Sequence, residues 1–97
     1  MSSMDIIALI SRRRRQILVH SCIYYRFSDS IIDDYTYDMW SKELADLQEK
    51  YPDLAKKSAW NEEFKDFDGS TGFDLPIAHP WVVGTAQYLM KLHRERK

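Results

Sequence analysis

The chain has 97 residues, with 44% hydrophobic, 13% aromatic and 30% charged side chains. That length suits one small domain and excludes a Rossmann dehydrogenase, a kinase core or a nucleotidyltransferase, each of which needs a larger sheet. The net charge of −1 is unevenly spread, with +4 over residues 1–27, −8 over 28–74 and +3 over 75–97; an acidic middle between basic ends disfavours a simple nucleic-acid-binding domain.

The first predicted element runs from about residue 4 to 27. It holds no Gly or Pro, and Ile6, Leu9, Ile10, Ile17, Ser21, Tyr24 and Tyr25 recur near one stripe at helical spacing. Ser2 or Ser3 suits its N-cap, with Asp5 favourable in the first turn. Arg12, Arg13, Arg14 and Arg15 interrupt the stripe. Successive helical residues point about 100° apart, so at least one of the four must lie along the core edge with its stem packed.

Ser28 to Asp33 reads as a short connection, with Asp33 a good N-cap. A second helix is predicted over about 34–51. Tyr37, Trp40, Leu44, Leu47 and Tyr51 are spaced 3, 4, 3 and 4 apart, and Pro52 stops the pattern. Two helices joined this tightly form a hairpin. Residues 53–79 read as irregular, with a helical turn within Leu54 to Trp60 and another capped by Asn61. Asp68-Gly69-Ser70-Thr71-Gly72 is a turn signal, and Phe73-Asp74-Leu75-Pro76 is expected to be extended. Pro80 suits the first turn of a C-terminal helix over about 80–95, with Val82, Val83, Ala86, Leu89, Met90 and His93 on its apolar side. The fold class is therefore mainly α, a single small domain over 1–97.

The lone Cys22 has no internal disulfide partner. No secretory signal is visible, and no stretch approaches the ~20 apolar residues of a membrane helix. The expectation is a soluble cytoplasmic protein with no membrane partner. Asp66-x-Asp68-Gly69 misplaces the glycine of a calcium loop, and the three histidines lack zinc spacing, so no metal is expected. The arginine run is the best nucleic-acid feature, but no groove-reading motif accompanies it, and nucleic acid is not expected as a primary partner.

The informative stretch is Tyr24-Tyr25, then Asp34-Tyr35-Thr36-Tyr37-Asp38, Glu43-Leu44 and Tyr51-Pro52-Asp53-Leu54. In order and spacing these pieces resemble the N-terminal Ia domain of NAD-dependent DNA ligases, over about residues 5–55, leaving 56–97 as an unmatched extension. The resemblance implies a binding module that closes over the nicotinamide mononucleotide half of NAD, with Tyr24, Tyr25, Asp34, Tyr37 and Asp38 as its contact residues. The residue types suit that ligand. A tyrosine face stacks on a flat cationic ring, and carboxylates accept ribose hydroxyls. Asp34 and Asp38 lie one helical turn apart, so both can face one ligand. Read without the resemblance, the same tyrosines are core aromatics ending two apolar stripes.

The chain departs from the ligases in two ways. Their nucleophile motif is Lys-x-Asp-Gly, whereas Lys65-Asp66-Phe67-Asp68-Gly69 carries one residue too many. The segment after residue 56 also has its own final helix, expected to fold back as a cap on the hairpin. The resemblance thus points to a relative of the ligase module, of viral type, and not to an enzyme by itself. The expected role is to hold NAD for a partner or to sequester it. The alternative is a protein-interaction module that keeps the fold without the ligand.

Overall fold

The computed structural model describes residues 1–69 and 75–96. Five helices lie among them: α1 (Ser3–Phe27), α2 (Asp34–Lys50), α3 (Pro52–Lys56), α4 (Asn61–Phe64) and α5 (Pro80–Glu95). The turn expected at Ser70 to Gly72 and the extended pair Phe73-Asp74 fall outside the described residues. No helix among the described residues is long and apolar enough to cross a membrane.

Each long helix begins where its capping chemistry places it. Ser2 and Asp5 form a reciprocal capping box at the start of α1, with the Ser2 hydroxyl accepting from the Asp5 N–H and the Asp5 carboxylate from the Ser2 N–H. Ser28 ends that helix in the left-handed region at φ 52°, and its N–H donates to the Ile23 carbonyl. Asp33 caps α2 by accepting from the Thr36 N–H at 2.8 Å. Pro80 occupies the first turn of α5, while the His79 imidazole accepts from the Trp81 N–H.

The helix α1 is the centre of the fold. It packs against both α2 and α5 and also meets α3. Two neighbours explain why its buried residues exceed one stripe: Leu18, Val19, Cys22 and Ile23 join Ile6, Ile10, Ile17 and Ser21. Leu44 of α2 and Val82, Ala86 and Met90 of α5 complete this core with Phe64. The segment after residue 56 therefore does return onto α1 through α5. Trp40, Leu47 and Tyr51 pack at its edge, half-buried.

The described residues of 53–79 hold the two short helical turns that the sequence suggests, with their starts displaced. Pro52 both ends α2 and opens α3, as its fixed φ and missing N–H allow. Asn61 is the first residue of α4 rather than its cap; Trp60 precedes it in the left-handed region at φ 63°. The tie is Arg14, only 1% exposed. Its guanidinium donates to Gln48 Oε1 and to the carbonyls of Ala55, Ser58 and Ala59. Burial pushes its pKa down to about 10, so it stays charged at neutral pH. The neighbouring Arg13 pairs with Glu43 at 2.9 Å, while Arg12 and Arg15 remain exposed.

Candidate functional site

The last turns of α1 and the first turn of α2 are joined by a short acidic link, and a cleft opens between them. From α1 come His20, Ile23, Tyr24 and Tyr25; the link contributes Ser30, Ile31, Ile32 and Asp33; α2 contributes Asp34 and Tyr37. His20, Ile23 and Tyr24 sit at i, i+3 and i+4, so helical geometry alone brings them to one face. The cleft holds about 90 Å³. An apolar cavity of about 150 Å³ takes up benzene, so this one accommodates part of a ring and leaves the remainder of a larger ligand in the open. A broad depression floored by Ser28, Asp29 and Ser30 adjoins it at Tyr24 and Tyr25.

Four of the five residues singled out by sequence line this cleft: Tyr24, Tyr25, Asp34 and Tyr37. Asp38 is exposed on the next turn of α2 and does not line it. Tyr24 and Tyr25 are not core residues, being 59% and 38% exposed. Their rings meet edge to face at 4.9 Å, an arrangement that the ring quadrupole favours. Tyr37 is half-buried, and its hydroxyl shares a 2.8 Å hydrogen bond with Ser21 on α1. Burial pushes the Tyr37 phenol up, so it is neutral at physiological pH. This bond fixes the α2 wall of the cleft to the core helix. The Asp33 carboxyl is held below its usual range by its hydrogen bonds to Thr36, so a full negative charge stands at the mouth.

His20 was missing from the sequence-derived site. It lines the cleft, and its ring lies 5.5 Å from that of Trp40. The Arg13 guanidinium sits 5.9 Å from the Trp40 ring centroid, so the cleft wall rests on an aromatic and cationic layer behind it. Burial pushes the His20 pKa down to about 4, which leaves a neutral imidazole at pH 7. The available signal was its position four residues before Tyr24. A search for apolar stripes and zinc spacing passes over it. Ile23, Ile31 and Ile32 were likewise absent from the sequence-derived site; they give the cleft an apolar floor.

Aromatic faces, an apolar floor and carboxylates at the mouth suit a flat ring with hydroxyl-bearing groups attached to it. The fold and this cleft define a small helical binding module. The chain belongs to the family described as "DNA ligase-like, N-terminal NAD+-binding domain", whose model matches residues 3–59 and so takes in the whole cleft. It is 44% identical over 45 residues to a DNA ligase of Thermoanaerobacter sp. (strain X514) and 42% identical over 50 residues to a DNA ligase of Pseudothermotoga lettingae. Those segments cover 46% and 52% of this chain but 7% of each ligase, so the match reaches only a small part of its relatives. No solved structure matches the chain.

Proposed function

We propose that this chain is a noncatalytic module that binds NAD through its nicotinamide mononucleotide half, either completing a site on a partner protein or sequestering the nucleotide. The observation that carries this reading is the meeting of Tyr24, Tyr25, Asp34 and Tyr37 around one cleft within the residues that match an NAD+-binding family. In this reading a tyrosine face stacks on the nicotinamide ring, and Asp34 accepts ribose hydroxyls. Asp38, one turn further on α2, reaches the ligand from the rim.

Calorimetric titration of the 97-residue chain with NAD, nicotinamide mononucleotide and AMP tests the reading. The first two should bind and AMP should not. Silence for all three would favour a protein-interaction module, for which Trp81 and Tyr88 stand exposed on α5, outside the family match. Asp34→Asn keeps shape and one acceptor oxygen while deleting the charge. A charge-assisted hydrogen bond is worth ~1.5–3 kcal/mol, so mononucleotide affinity should fall roughly tenfold or more. Asp38→Asn, at an exposed position, separates a rim contact from none.

A further inference from the structure

We infer that the outward face of α5 binds the same face of a second copy of this chain, the two helices crossing antiparallel at Gly84. The inference goes beyond the nucleotide reading and does not depend on it, since α5 lies outside the family match.

The helix has two working sides. Val82, Ala86 and Met90 are buried, and the helix packs on α1. The other side carries Trp81, Gly84, Tyr88 and Lys91, spaced 3, 4 and 3 apart and all exposed. Trp81 keeps 43% and Tyr88 60% of its surface in water. The half-buried Trp60 extends the patch, with its ring 5.8 Å from that of Trp81 and 5.1 Å from that of His79. Gly84 has no explanation inside the fold. A Cβ placed there meets nothing within 4 Å, and only proline is less favourable than glycine in a helix interior. What the missing Cβ provides is a notch between two rings, where the backbone of another helix can approach closely. Trp81 lies about 4.5 Å before Gly84 along the axis and Tyr88 about 6 Å after it. In an antiparallel crossing at Gly84, each Trp81 therefore meets the other copy's Tyr88, the self-complementary pattern of a two-fold dimer.

Charge selects the second copy as the occupant. Lys91, Arg94 and Arg96 make the end of α5 positive, with Glu95 between them. At the start of α5, Trp81 meets Trp60, and the first turn of α4 that follows Trp60 carries Glu62 and Glu63, both exposed. Glu62 has only Lys65, at 3.5 Å, as a surface partner, a pair that contributes little. Antiparallel pairing sets the basic end of each helix toward the acidic start of the other. Parallel pairing would set like charges together.

The test is sedimentation equilibrium of the full chain over concentrations rising to the millimolar range. It should show a reversible monomer–dimer equilibrium. One helix per copy places the interface at the low end of stable sizes, so the dissociation constant should be micromolar and not nanomolar. Gly84→Gln fills the notch with a better helix former. It should weaken association at least tenfold while helix content by circular dichroism is kept and the thermal midpoint of the dilute monomer holds or rises. Lys91→Glu should weaken association at least threefold, and adding Glu62→Lys to the same chain should recover most of that loss. A monomer at every concentration would overturn the inference. So would a dimer whose dissociation constant is unchanged in Gly84→Gln, because the contact would then lie on another face. Failure of Glu62→Lys to recover the loss would overturn the antiparallel arrangement.

Discussion

At the scale of single residues, His20 makes the fold sensitive to acid. A histidine in an unfolded chain titrates near 6.5, whereas burial pushes His20 down to about 4 in the fold. Between those values the unfolded chain binds a proton that the folded chain refuses, so stability rises with pH across that window and is lost as pH falls through it. The loss between pH 7 and pH 5 should be on the order of 1–2 kcal/mol. Urea unfolding at the two pH values measures it, and His20→Gln should remove most of the difference. An undiminished difference in the variant would assign the acid sensitivity to the carboxylates, of which Asp33 is one, held low by its cap. The same residue shows why part of the site was not legible in the sequence. The tyrosines and aspartates stand out by motif, but His20 gains its place only from burial beside Trp40, twenty positions along the chain.

At the scale of elements, the α1–α2 contact depends on residues that were legible. Leu44 sits mid-stripe on α2 and is fully buried. Leu44→Ala should therefore cost about 2–5 kcal/mol in chemical denaturation, the usual range for a buried leucine. A change below ~0.5 kcal/mol would mean that the stripe does not face the core. The helix boundaries were legible for the same reason: Ser2, Asp33, Pro52 and Pro80 act through local chemistry. Arg14 was only half legible. Helical geometry requires one of four consecutive arginines to approach the core, but the acceptors that make full burial tolerable lie 34 to 45 positions away. Arg14→Lys tests how specific that arrangement is. An ammonium lacks the planar fork that spans several carbonyls, and a buried polar group left unpaired costs ~1–3 kcal/mol. A lysine as stable as the wild type would show that the charge alone suffices.

For the whole molecule, the basic N-terminal end carries less free charge than its count implies. Arg13 is paired with Glu43 and Arg14 is buried among carbonyls, which leaves Arg12 and Arg15 as the exposed members of the run. Duplex DNA should therefore bind weakly at low salt and not measurably near ~0.15 M salt, since few phosphates can be neutralised. Fluorescence anisotropy across a salt series measures this, and tight binding at the higher salt would promote nucleic acid to a principal partner.

The way Arg14 holds α3 and its following turn bears on how this region tolerates change. Three of its acceptors are main-chain oxygens, at Ala55, Ser58 and Ala59, and a main-chain oxygen is present whatever side chain its residue bears. The clamp therefore reads the path of the backbone and not the identity of the residues along it. Exposed positions there, such as Lys56, Lys57 and Ala59, are free to drift so long as the trace is kept. The constraint is concentrated instead on one guanidinium in α1, so the side chains around these few carbonyls can change while a single anchor holds their path.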